Sequence, residues 1–221
     1  MFGAGHPLTR RAWLAHCSVA VASLAGAVTS AHAMAMPTKV LVVGDSLSAE
    51  YGLARGSGWV ALLEQRLQRE KVGATVVNAS ISGDTTSGGR TRLSSLLEQH
   101  KPTHVIIELG SNDALRGLPL AMTRDNLAAM VRAARDSGAQ ALLMGMRMPP
   151  NYGRTYTQEF ETLFASLAKA EGAALVPFML AGIADSPNAA TLFQEDRLHP
   201  NAQAQPIIFD NVWPVLSKQL R

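Results

Sequence analysis

Ser46 sits in the stretch Val42-Val43-Gly44-Asp45-Ser46-Leu47-Ser48, where an apolar run gives way to an acid and two hydroxyls. A serine hydroxyl becomes an effective nucleophile when a base takes its proton, and the base needs a third group to fix its tautomer. Beyond residue 33 the histidines are His100, His104 and His199. His199 stands in Glu195-Asp196-Arg197-Leu198-His199-Pro200, where Asp196 is close enough in a turn to accept a hydrogen bond from the imidazole. Each piece also has an ordinary reading. Gly44, Asp45 and Ser46 suit a turn after a strand, and Asp196 with Pro200 suits the entry to a helix. His100 and His104 have the i,i+4 spacing of a helical metal pair, but Pro102 between them argues against a helix. Both are expected to be surface residues, and neither a metal nor a cofactor is expected.

Acyl transfer also needs donors aimed at the oxyanion that develops on the attacked carbonyl. Gly83, in Ile81-Ser82-Gly83-Asp84, can present a backbone N–H with no side chain in the way. Asn112, in Gly110-Ser111-Asn112-Asp113, can present a side-chain amide. Glycine and asparagine equally suit turns with positive φ. What separates the readings is that nucleophile, base, orienting acid and donors all occur in one chain.

The elements that must bring them together are legible as periodicity. Apolar runs of strand length lie at Val40–Val43, Thr75–Ala79, Val105–Leu109 and Ala141–Met146, with a shorter fifth at Ala174–Val176. Between them Trp59–Arg69, Thr91–His100, Asn126–Ser137 and Phe160–Glu171 carry helical periodicity. Strands apolar on both faces, alternating with helices, predict an α/β fold with a parallel sheet covered on both sides. Ser46, Gly83 and Asn112 then follow three parallel strands at their carboxyl ends, the edge where open α/β sheets bind ligands. Asn201–Leu220 reads as a last helix, kinked or split by Pro206 and Pro214.

Residues 1–33 differ from the rest. Arg10 and Arg11 precede a mostly apolar run from Ala12 to Val28, and Ala31-His32-Ala33 follows. This is the layout of a secretory signal peptide, cleaved to leave a single domain over 34–221 that is periplasmic or secreted. The paired arginines suit a general or a twin-arginine signal. His16, Cys17 and several serines interrupt the run, so a stable membrane anchor is not expected. Cleavage leaves 18 basic against 17 acidic residues, without the basic footprint of a nucleic-acid partner. It also removes Cys17, the single cysteine, and with it disulfides, thiol catalysis and thiolate metal sites. The remaining 188 residues are long enough to bury a core without such staples, and a monomer is expected.

From about Lys39 onward the chain resembles the SGNH, or GDSL, hydrolase family, in its periplasmic acyl-CoA thioesterase, lysophospholipase and arylesterase branch. Four blocks in the family's order carry the resemblance: Val-Val-Gly-Asp-Ser-Leu-Ser, Asn-Ala-Ser-Ile-Ser-Gly-Asp-Thr, Glu-Leu-Gly-Ser-Asn-Asp and Asp-Arg-Leu-His-Pro. Arg147-Met-Pro-Pro-Asn-Tyr-Gly153 resembles a further segment of the branch. The resemblance implies a flavodoxin-like three-layer α/β/α sandwich with about five parallel strands. It also implies a triad of Ser46, His199 and Asp196, with an oxyanion hole from the Ser46 and Gly83 N–H groups and the Asn112 amide. Ser111, Glu50 and the Arg197-Leu198 pair depart from the residues common in the branch, all near the expected crevice.

The loops Ala114–Met122 and Arg147–Thr157 are expected to border that crevice. Leu115, Leu118, Leu120, Met122, Met148 and Tyr152 offer either an apolar wall for an acyl chain or ordinary loop packing. Arg116 suits an anionic head group or the solvent. The substrates expected are small acyl esters, thioesters or lysophospholipids. Two alternatives share the architecture: a carbohydrate O-acetyl esterase using the same five residues, and a non-catalytic flavodoxin-like module holding a phosphorylated ligand. Against the module, the chain has no G-x-x-x-x-G-K-[ST] loop, and Gly56-Ser-Gly58-Trp-Val-Ala61 begins too far past the first strand for a dinucleotide turn.

Overall fold

Five strands alternate with helices: β1 (Lys39–Gly44), α1 (Trp59–Arg69), β2 (Thr75–Asn78), α2 (Thr86–His100) and β3 (His104–Glu108). Then come α3 (Ser111–Leu115), α4 (Leu120–Asp136), β4 (Gln140–Met144), α5 (Arg154–Glu171) and β5 (Ala174–Val176). The short α6 (Ala189–Leu192) and the final α7 (Gln205–Gln219) complete the chain. This computed structural model describes Met1 and residues 37–220. Met36–Arg221 cluster as one compact unit, while the expected signal segment lies outside the described residues.

All five strands are parallel, in the order β2-β1-β3-β4-β5. The central strands β1 and β3 are buried along nearly their whole length, as their unbroken apolar runs require. On α1, Trp59, Leu63 and Leu67 form the buried face. The helix packs beside α7, while α2, α4 and α5 pack side by side. The result is a doubly wound α/β fold of the flavodoxin type, built as an α/β/α sandwich. Register places Gly44 opposite Glu108, which sets a carboxyl group beside the turn that carries Ser46.

Three helices begin earlier than their apolar periodicity predicts. Helix α2 starts at Thr86, behind the cap Thr85, whose side chain accepts the Gly88 N–H. Its Gly88-Gly89 pair resembles a helix breaker, yet Gly89 is needed for contact. A Cβ there would lie 2.3 Å from a Leu109 methyl, so glycine lets the helix approach the sheet. Helices α4 and α5 start at Leu120 and Arg154, directly after Pro119 and Gly153. Much of the two expected crevice loops is therefore helical. In the last segment a 3-10 turn (Ala202–Ala204) precedes α7. Pro206 falls in the first turn, where a missing N–H removes no helical bond, and Pro214 lies inside the helix without ending it.

His104 is the clearest departure from expectation. It heads β3 and is buried, not at the surface. Its Nδ1 pairs with Thr103 Oγ1 at 2.8 Å and its Nε2 with the Gln219 carbonyl at 3.1 Å. The end of α7 covers a ring whose polarity alone suggested solvent. Helix α2 ends at His100 and Lys101 is left-handed, so Pro102 does separate the two histidines.

Candidate active site

Strand β1 ends in a tight turn. The Asp45 carbonyl accepts the Ala49 N–H at 2.9 Å, and the Asp45 side chain accepts the Leu47 N–H at 3.0 Å. Gly44 precedes it because a Cβ would lie 2.7 Å from Glu108 Oε2 and against Ser48. The turn presents Ser46 at the carboxyl edge of the sheet. The loop after β2 brings Gly83 there with φ 79°, and the first turn of α3, directly after β3, brings Asn112. Among the described residues neither the Ser46 N–H nor the Gly83 N–H donates to a protein acceptor, leaving both available to a ligand. All three residues line one cavity of about 660 Å³.

The base arrives from the far end of the chain. Phe193 and Pro200 form a short antiparallel bridge, and inside it the Gln194 N–H donates to the His199 carbonyl at 2.8 Å. At the tip Arg197 adopts φ 55°, the left-handed region that glycine enters most easily. The tight tip lets one carboxylate serve three donors. Asp196 Oδ1 accepts the Leu198 and His199 backbone N–H groups at 2.9 and 3.0 Å, and Oδ2 pairs with His199 Nδ1 at 2.7 Å. These bonds, the His199 backbone N–H first, pull the Asp196 carboxyl down to about 2. Asp196 is thus an acceptor at neutral pH. The imidazole proton must lie on Nδ1, which frees Nε2 as an acceptor. That nitrogen lies 2.9 Å from Ser46 Oγ, the geometry of a nucleophile and its base.

Sequence reasoning located Ser46, Gly83, Asn112, Asp196 and His199, and the fold brings all five together. Leu115 and Met148 line the cavity, but Leu118, Leu120, Met122 and Tyr152 lie outside its lining. Leu120 and Met122 lie on α4 and Tyr152 on a 3-10 turn, while Leu118 lies between α3 and α4. Arg116 neither lines the cavity nor simply faces solvent: its guanidinium donates to the Gly83 carbonyl at 2.7 Å, bracing that loop.

Several neighbours went unpredicted. Tyr51 packs its ring against His199, centroids 4.4 Å apart, and Gln194 ties the two loops. Met146, after β4, and Phe178 and Leu180, after β5, build the apolar wall. The rule that placed the loops after β1 to β3 at this edge also applies to those after β4 and β5. Beneath the site Glu108 is fully buried, and burial together with Asp45 raises its carboxyl well above the ordinary range.

A family model described as GDSL-like Lipase/Acylhydrolase matches residues 42–206. The chain is 49% identical over 181 residues to the esterase TesA of Pseudomonas aeruginosa, covering 82% of this chain and 89% of that protein. It is 41% identical over 182 residues to the thioesterase 1/protease 1/lysophospholipase L1 of Escherichia coli K12, covering 82% and 83% of the two chains. A crystal structure of TesA superposes with a TM-score of 0.79 at 48% identity, over 83% of this chain and all of that one.

Proposed function

The chain belongs to the GDSL-like lipase/acylhydrolase family and is an ester-hydrolysing serine hydrolase, and from that premise we propose a Ser46–His199–Asp196 triad acting on acyl esters and thioesters. The observation that carries this reading is the unbroken line from Asp196 Oδ2 through the imidazole to Ser46 Oγ, with spacings of 2.7 and 2.9 Å. His199 Nε2 takes the Ser46 proton as Oγ attacks the acyl carbonyl. Asp196 keeps the ring in the Nδ1–H tautomer and stabilises the imidazolium. The Ser46 and Gly83 N–H groups and the Asn112 amide receive the oxyanion. The imidazolium then protonates the leaving alcohol or thiol, and water activated by His199 releases the acyl group.

The wall of Met146, Met148, Phe178, Leu180 and Leu115 supports an apolar acyl chain over a carbohydrate acetate. Acyl-CoA thioesters, lysophospholipids and aryl esters are the substrate classes we assign. We further propose that residues 1–33 are a cleaved export signal, that the enzyme works as a periplasmic or secreted monomer, and that it needs no cofactor. Among the described residues no helix is long and apolar enough to cross a membrane.

The test is covalent labelling with a fluorophosphonate, followed by peptide mapping. The label is expected on Ser46 and absent from Ser46→Ala, which should fold normally and lose ~10³-fold or more in kcat. A label on another serine would overturn the assignment.

A further inference from the structure

We propose that Asp45 and Glu108 form a buried carboxyl pair that holds one proton between them and positions the Asn112 amide for the oxyanion. The proposal rests on reading Asn112 as an oxyanion donor and assigns a role to two acids that the triad does not use.

Asp45 is 1% exposed and Glu108 0%. Glu108 Oε2 accepts the Asp45 backbone N–H at 3.1 Å and the Ser48 hydroxyl at 2.7 Å. Its other oxygen, Oε1, is buried with no donor among the described residues. The two acids are adjacent, and no basic side chain hydrogen-bonds to either carboxyl group among the described residues. Two ionised carboxylates in contact away from water would repel each other without compensation, so such pairs retain a proton. A proton on Glu108 Oε1 accounts for the orphan oxygen and for the burial of two neighbouring acids. It sits on the oxygen that no donor reaches, and it removes the second negative charge from the buried pair. Glu108 Oε2 is then the carbonyl oxygen, suited to the two donors it meets.

The proton belongs on Glu108 because Asp45 has other bonds to accept. Its Oδ1 takes the Leu47 N–H at 3.0 Å and its Oδ2 takes the Asn112 Nδ2–H at 3.0 Å. Burial raises the Asp45 carboxyl to about 6 against these bonds, so it is ionised at neutral pH, and Glu108 is raised well above its ordinary range. His199 stands across the site, and the imidazolium it becomes when it takes the Ser46 proton favours the ionised form of Asp45. With one Asn112 N–H held by Asp45, the other is free for the oxyanion and the amide cannot rotate. Gly44 lets this happen, since a Cβ there would collide with Glu108 Oε2. Asp45 and Glu108 are positioning residues, acting on the reaction through Asn112.

Infrared difference spectra of the wild type against Glu108→Gln at neutral pH test the proton directly. The carbonyl stretch of an undissociated carboxylic acid is expected in the wild type and absent from the variant. Its absence from the wild type would overturn the proposal. Kinetics test the positioning. Asp45→Asn leaves one acceptor oxygen for two donors, and should lower kcat ~10–10²-fold with little change in KM, the scale of a catalytic group displaced by about 1 Å. Glu108→Gln, whose amide can donate to Asp45 and accept from Ser48, should keep most of the rate that Glu108→Ala loses. In an Asn112→Ala background, Asp45→Asn should cost little more, because both changes remove one function. Full additivity of the two losses would overturn the proposal even if Glu108→Ala failed to fold. Fluorophosphonate labelling of Ser46 is independent of the pair. Normal labelling without the infrared band would therefore refute only the shared proton, whereas failed labelling would refute the triad.

Discussion

The Gln194 side-chain amide donates to the Tyr51 carbonyl at 2.8 Å, joining the loop that carries Asp196 and His199 to the turn that carries Ser46. The same nitrogen reaches the Pro200 carbonyl at 3.1 Å. Gly52 beside it leaves no alternative residue in this arrangement, since a Cβ would lie 2.0 Å from Gln194 Oε1. One amide therefore bonds both the turn of the nucleophile and the loop of the base. Gln194→Ala should fold, lose ~10-fold or more in kcat and slow fluorophosphonate labelling, because small misplacements of catalytic groups are costly. Unchanged kcat and labelling would show that the bridge and the Tyr51–His199 contact suffice without it.

Asn112→Ala should lower kcat by ~10²–10³ with a smaller effect on KM, as expected when one oxyanion donor is removed. Steady-state kinetics on one ester and one thioester check this. A change confined to KM would make Asn112 a ground-state binding residue.

Asp196→Asn should reduce kcat by up to ~10⁴, because an amide permits the wrong imidazole tautomer and leaves its positive charge uncompensated. Single-turnover acylation should slow in parallel. Retained turnover in this variant and in His199→Gln would place the base elsewhere, with His100 the remaining half-buried imidazole to test.

The two shifted aspartates act on stability in opposite directions. Asp196 is lowered from 3.8 to about 2, so its contribution is complete above pH ~4 and fades as the pH falls through 2. Its exposure limits the size of the effect. Asp45 is raised from 3.8 to about 6, so stability associated with its neutral form is complete below pH ~4 and is lost as the pH rises through 6. Denaturant unfolding at stepped pH should therefore show wild-type stability declining from pH ~4 to 6, and Asp45→Asn should flatten that decline. An equal decline in the variant would assign it to other groups.

From the proposed cleavage of residues 1–33, the mature chain should begin at Met34, and its activity should survive EDTA. Intact mass checks the first, since Ala31-His32-Ala33 offers the small-residue site after the apolar run. Turnover after chelation checks the second, and recovery of a lost activity by added metal would contradict a triad acting alone.

The order of strands and helices, the parallel sheet, and the edge at which Ser46, Gly83 and Asn112 converge are legible in the residue pattern alone. Those features follow from local periodicity, which reports the face each segment buries wherever the segment ends up. Asp196 and His199 were legible for the same reason, being three residues apart in one turn. What the loops do once they arrive depends on packing between distant segments. Gln194 and Tyr51 are 143 positions apart, and Asp45 and Asn112 are 67, separations that no periodic pattern encodes. Leu118, between α3 and α4, and Tyr152, on a 3-10 turn, fall outside the cavity lining, while Phe178 and Leu180 enter it just after a strand only three residues long. His104 and Glu108, polar at both ends of β3, are buried because other elements close over them. A side chain's type states which partners it needs, but only the packed chain brings those partners within hydrogen-bonding distance.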